Sequence, residues 1–224
     1  MKRLKSFINI IFLFVSFQYG FSQETEYPFA ADIRQFKTND SISPPPSGAI
    51  LFVGSSSFTF WTDVQDYFPG YTIINRGFGG STLLDLIRYA ELIIIPYDPK
   101  QIVIYCGEND LDAGDTTVTG AIVCQRFITL FGMIREKLPD VKISYISMKP
   151  SPYRWRFSGK MTEGNDNIRD FIFTQQNASF ISIWDDMLKD HHQPDSALFI
   201  SDYLHMNARG YAIWQEKIGP HLVR

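Results

Sequence analysis

Five short runs rich in β-branched and aromatic residues, separated by longer stretches of helical period, limit what this chain can fold into more than any other feature. The runs span residues 49–53, 71–75, 101–106, 141–147 and 180–184. The first, Ala-Ile-Leu-Phe-Val, and the core of the third, Ile-Val-Ile-Tyr, are apolar without a break. A strand with one wet face alternates polar and apolar residues, so an unbroken run predicts burial on both faces. Helical patterns lie between and after the runs, over residues 60–67, 82–94, 117–138, 164–176 and 207–218. Strand–helix alternation with doubly buried strands predicts an α/β protein, a three-layer α/β/α sandwich around a five-stranded parallel sheet. In such sheets ligands gather beyond the carboxyl ends of the strands, so the residues that follow each run are where chemistry is expected.

Composition narrows the class. With 45% hydrophobic and 20% charged residues in 224, the chain carries enough apolar surface for one sizeable core, which excludes a disordered or disulfide-scaffold protein and favours a single domain. A net charge of −3, with no basic run beyond the extreme N-terminus, argues against nucleic acid as a partner. That N-terminus sets Lys2, Arg3 and Lys5 before an apolar stretch from Phe7 to Phe17, followed by the small residues Gly20 and Ser22. The pattern predicts a signal peptide over residues 1–22, cleaved near Ser22, and hence an exported, periplasmic or secreted protein without stable membrane insertion after cleavage. Residues 23–48 are polar, end in Ser43-Pro44-Pro45-Pro46-Ser47-Gly48, and read as a lead-in segment, with the folded domain over residues 49–224. Cys106 and Cys124 could pair after export or simply pack as two small buried hydrophobes.

Four segments carry candidate chemistry. After the first run, Gly54-Ser55-Ser56-Ser57-Phe58 presents hydroxyls where a buried strand turns into a helix. Unpaired N–H groups there favour a developing negative charge, so a serine at this turn suits nucleophilic acyl transfer, although Ser is also a common N-cap. After the second run, Gly77-Phe78-Gly79-Gly80 lacks the spacing of a dinucleotide fingerprint, and a glycine N–H there can approach an oxyanion closely. After the third, Gly107-Glu108-Asn109-Asp110 offers an amide able to donate to an oxyanion, or a plain Asx turn. Before the last helix, Asp202 and His205 stand three residues apart, close enough in one turn for the carboxylate to orient the imidazole as a general base. A metal reading would draw on His191, His192 and Asp195, but adjacent histidines on a Pro-bearing loop point apart, and no metal or organic cofactor is expected.

Together, and in this order, the four segments resemble the SGNH/GDSL hydrolase superfamily from about Ala49 to Leu222, with its flavodoxin-like fold. The resemblance puts Ser56 in the nucleophile position of the Gly-Asp-Ser block, Gly80 in the second block, Asn109 in Gly-x-Asn-Asp and His205 in Asp-x-x-His. Ser55 stands where the family has Asp; this variant is similar to the platelet-activating-factor acetylhydrolase-like branch, and it leaves Ser55 and Ser57 as neighbouring hydroxyls. The resemblance implies a serine esterase: Ser56, Asp202 and His205 catalytic, and the N–H groups of Ser56 and Gly80 with the Asn109 amide as oxyanion hole. It also implies a small-molecule or glycan ester substrate, with a short acyl group such as acetyl on a carbohydrate ahead of a lipid. After the fourth run, Tyr153, Arg154 and Trp155 lie at the same sheet edge and could line a substrate pocket.

Overall fold

The computed structural model describes residues 26–190 and 192–224. The expected signal peptide and His191 therefore lie outside the described residues. Five parallel strands form the central sheet: β1 (Ile50–Gly54), β2 (Ile73–Gly77), β3 (Gln101–Tyr105), β4 (Lys142–Ile146) and β5 (Ala178–Ile181), in the order β2-β1-β3-β4-β5. Each expected run contains or overlaps a strand. The order reverses between β1 and β3, so the two strands whose ends diverge into separate loops carry the Ser56 and Asn109 segments.

Alternation along the strands builds the two faces. Leu51, Val53, Ile102, Ile104, Ile143 and Tyr145 face a core completed by α1 (Ala30–Ile42), α4 (Leu83–Ile93), α6 (Gly120–Lys137) and α7 (Ser158–Phe173). Ile50, Phe52, Val103, Tyr105 and Ile146 face a second core closed by α2 (Ser56–Thr59), α3 (Val64–Tyr67) and α8 (Ala208–Ile218). A short helix α5 (Glu108–Asp112) follows β3, and an antiparallel pair, β6 (Leu188–Lys189) with β7 (Gln193–Pro194), precedes α8. Helix starts follow capping chemistry: Thr82 and Asp85 form a reciprocal box at α4, while Thr119 and Asn207 cap α6 and α8. Cys106 and Cys124 are both buried and unpaired with each other. No described helix is long and apolar enough to cross a membrane.

One expectation needs correction. The segment before Ala49 is not merely a lead-in, because α1 occupies residues 30–42 and docks on α4. Ile33 and Phe36 lie on one stripe of the helix and, with Phe29 just before it, pack into the first core. Asp40, one turn further on, accepts from Arg76 and from the Tyr97 hydroxyl at 2.5 Å. α1 is thus packed on the first core, and the Pro-rich stretch connects it to β1.

Candidate active site

The turn after β1 is built around close backbone contact. A Cβ on Gly54 would lie 1.9 Å from the Tyr105 carbonyl oxygen, so any side chain there would push β1 from β3 just before the serines. α2 is then pinned from three sides. Phe58 is fully buried against Phe52, Tyr105 and Trp214, the Tyr211 hydroxyl donates to the Ser57 carbonyl at 2.8 Å, and Asn75 Nδ2 donates to the Phe58 carbonyl at 2.7 Å. Ser55 and Ser57 are buried, and Ser57 Oγ has no hydrogen-bond partner among the described residues. Ser56 alone of the three bonds to a histidine: its Oγ lies 3.0 Å from His205 Nε2.

The histidine arrives from 149 positions away in sequence. Trp61 of the segment after α2 stacks on Tyr211 of α8, with ring centroids 4.7 Å apart, so α8 seats the loop before it against the serine turn. Asp202 closes that loop on itself. Its Oδ1 accepts the backbone N–H groups of Leu204 and His205, both at 2.9 Å, and its Oδ2 lies 2.6 Å from His205 Nδ1. Burial works to raise the Asp202 carboxyl, but the hydrogen bonds from the His205 ring and the two backbone N–H groups outweigh it and hold the group below the ordinary carboxylate range. Asp202 is therefore an anion at neutral pH and accepts from the proton-bearing Nδ1 of His205, the arrangement that turns Nε2 of the imidazole toward Ser56. The Phe60 ring, 4.3 Å from the imidazole by centroids, covers one side of it.

The second and third segments meet beside this chain of bonds. Phe78 to Ser81 form a turn closed by the Ser81 N–H on the Phe78 carbonyl at 3.3 Å, with Gly80 at φ +86°, a conformation that glycine alone adopts at little cost. The N–H groups of Gly79 and Gly80 have no partner among the described residues. A Cβ on Gly79 would stand 3.8 Å from that of Ser56, which places the turn against the serine. Asn109 is buried and donates one Nδ2 hydrogen to the Ser81 carbonyl at 2.8 Å. Asp110 binds the α4 N-terminus through the Leu83 N–H at 2.9 Å and Arg126 at 2.8 Å, locking the loop after β3 to the turn after β2.

The three residues expected to line a pocket after β4 separate. Tyr153 is exposed, and its N–H donates to the Tyr203 carbonyl at 3.1 Å, which ties the loop after β4 to the histidine loop. Trp155 instead stacks on Trp184 beside a separate cleft. Arg154 is the correction: it turns inward and is buried. Its guanidinium bonds to Glu108 at 3.0 Å, Asp112 at 3.2 Å and Asn109 Oδ1 at 2.6 Å. Glu108 lies at the centre of a buried cluster that also includes Lys149 at 3.1 Å and the Tyr105 hydroxyl. Sequence reading missed this cluster, together with Phe60 and Ser81. Its members lie 41–46 residues apart where Lys149 and Arg154 meet Glu108 and Asn109, and no local period connects them. Among the described residues, no group of three metal-ligating side chains converges.

Comparison with known proteins agrees with this architecture. Among solved structures, a GDSL-like lipase from Bacteroides thetaiotaomicron superposes with a TM-score of 0.71 at 18% identity, covering 85% of this chain and 97% of the other. A member of the lipolytic protein G-D-S-L family from Veillonella parvula gives 0.64 at 16%, covering 79% and 98%. A catalytic mutant of an acetylxylan esterase from Geobacillus stearothermophilus gives 0.61 at 14%, covering 77% and 93%. These likenesses are of fold. No curated protein sequence matches significantly. The sequence profile of the GDSL-like lipase/acylhydrolase family, in contrast, matches residues 47–213 and so spans β1 through the candidate histidine and into α8. This chain therefore belongs to the GDSL-like lipase/acylhydrolase family and is a hydrolase acting on esters.

Proposed function

We propose that the protein is an exported serine esterase that removes short acyl groups, acetyl foremost, from a carbohydrate. The reading rests above all on the continuous line of hydrogen bonds from Asp202 through His205 to Ser56 Oγ. His205 Nε2 takes the hydroxyl proton as Ser56 Oγ attacks the ester carbonyl, and the carbonyl oxygen becomes an oxyanion. The N–H groups of Ser56 and Gly80 and the free Nδ2 hydrogen of Asn109 receive that charge. Collapse breaks the bond to the leaving alcohol, which takes its proton from His205, and leaves an acyl group on Ser56. Water, deprotonated by the same histidine, then releases the acid and restores the serine. No step calls for a metal or an organic cofactor.

The carbohydrate preference is supported by three exposed rings, Phe60, Tyr153 and Tyr203, around the histidine loop. Aromatic faces suit the apolar faces of sugar rings, and the fold neighbours include an acetylxylan esterase. Hydrolysis of p-nitrophenyl acetate and its longer acyl homologues tests the acyl preference, and acetylated xylo-oligosaccharides test the leaving group. The expected result is a rate that falls with acyl length and release of acetate from the glycan. A rate that rises with acyl length would instead indicate a lipid acylhydrolase, and no hydrolysis on any ester would indicate a ligand-binding member of the fold.

Asn109→Ala removes one oxyanion donor. It is expected to lower kcat by about 10²–10³-fold, with KM little changed and the circular-dichroism spectrum retained. Unchanged kcat would take Asn109 out of this role.

A further inference from the structure

We infer that Arg154 is a positioning residue for the oxyanion hole, fixing the Asn109 amide in its donating orientation. The inference rests on the ester-hydrolysis reading above and goes one step behind the groups that touch substrate. A side-chain amide is nearly symmetric in shape, and a half-turn exchanges its donor and acceptor ends. Only one orientation of Asn109 offers hydrogens to the site. Ser81 and Arg154 select it from opposite ends: the Ser81 carbonyl, an acceptor, faces Nδ2 at 2.8 Å, and the Arg154 guanidinium, a donor only, faces Oδ1 at 2.6 Å. Turning the amide over would set NH₂ against guanidinium and oxygen against carbonyl, so both contacts would become repulsive. One Nδ2 hydrogen remains uncommitted among the described residues.

The guanidinium does more than hold. A charged donor on Oδ1 draws electron density from the amide, and hydrogen bonds in such a chain strengthen one another, so the remaining N–H becomes a better donor to an oxyanion. Arg154 can act this way because it is itself immobilised. Nη1 is bound to Glu108 Oε2 at 3.0 Å and Nε to Asp112 at 3.2 Å, and Lys149 Nζ binds the same Glu108 oxygen at 3.1 Å. The buried charge cluster thereby gives the oxyanion hole a rigid mounting. The reach is specific to arginine: a lysine in its place would keep one ion pair with Glu108, but a single ammonium cannot span Glu108, Asp112 and Asn109 in the same fork geometry.

The test uses Arg154→Lys, which keeps the charge and so protects the fold, alone and combined with Asn109→Ala. Arg154→Lys is expected to lower kcat by about 10–100-fold with KM unchanged, and to cause no further loss once Asn109 is replaced by alanine. Equal losses in both backgrounds would make the effect a general structural one, and a rise in KM with kcat unchanged would make Arg154 a substrate contact; either overturns the proposal. A second readout needs no turnover. The Asn109 side-chain amide pair in ¹⁵N-labelled protein, assigned by its disappearance in Asn109→Ala, is expected to shift and to exchange faster with solvent in Arg154→Lys. An unchanged pair overturns the proposal even in an active esterase. A wild-type protein inactive on every ester, with the amide pair still responding, would overturn the function and leave the positioning role standing.

Discussion

Ser56→Ala is expected to lower ester turnover by on the order of 10⁶-fold while the protein stays folded, because removing the nucleophile from a serine–histidine pair costs about as much as removing the whole set. The fold is not at stake. Ser56 is half-buried, and its Oγ bonds only to His205, whereas the turn is held by Phe58, Tyr211 and Asn75. Ser57→Ala is the matched control. Its hydroxyl is buried without a partner among the described residues, so its removal leaves turnover intact and leaves stability equal or slightly higher. Steady-state kinetics on p-nitrophenyl acetate separate the two. Loss of activity in Ser57→Ala with retention in Ser56→Ala would move the nucleophile by one residue.

The largest effect on stability is expected from Glu108→Gln. Glu108 and Lys149 have side chains only 4% and 2% exposed, and Arg154 shares the same carboxylate. Neutralising the carboxylate leaves two cations in the interior short of a counter-charge, which typically costs about 3–5 kcal/mol. For a chain of this size, each kcal/mol corresponds to about 2–4 °C in Tm, so a thermal shift on the order of 10 °C is expected in calorimetry. Acid sensitivity moves with it. Burial acts to raise the Glu108 carboxyl, but Lys149, Arg154 and the Tyr105 hydroxyl outweigh that and hold it below its ordinary 4.5. A carboxylate lowered by folding contributes stability that is fully present above its unfolded value and is lost as pH falls through the folded one. Asp110, raised by burial, works with the opposite sign over the same range, so the difference between wild type and Glu108→Gln isolates Glu108. That difference is expected to be constant from pH 7 down to about 5 and to shrink below it. A stability difference within about 0.5 kcal/mol at neutral pH would show that the cluster carries no such weight.

The parts of this molecule that could be read in the sequence are those with a local signature. β1 and residues 102–105 of β3 announce themselves because strands buried on both faces read as unbroken apolar runs, and α4, α6 and α8 begin at or beside Thr or Asn caps. α1 was obscured because only Ile33 and Phe36 mark its inner stripe amid polar residues, and its partners, Arg76 and Tyr97, come from β2 and the segment after α4. α7 begins at Ser158, earlier than residue 164 where the pattern suggested, because Gly159 and Gly164 blur the period of its first turns. Ser56, Asn109, Asp202 and His205 were legible because each follows a strand or precedes a helix in a recognisable order. The role of Arg154 was not, since nothing in Pro152-Tyr153-Arg154-Trp155 indicates which way its side chain turns. Its direction is set by Glu108, Asn109 and Asp112, which only the packing of the loop after β4 against α5 brings within reach.

The most direct test of the proposed mechanism is covalent. A fluorophosphonate transfers its phosphonyl group to an activated serine with loss of fluoride, and tandem mass spectrometry of the labelled protein locates the adduct within Ser55-Ser56-Ser57. The account predicts one adduct per chain, on Ser56, absent in Ser56→Ala and strongly slowed in His205→Ala. An adduct on any other residue, or a protein that hydrolyses esters while Ser56 stays unmodified, would contradict it.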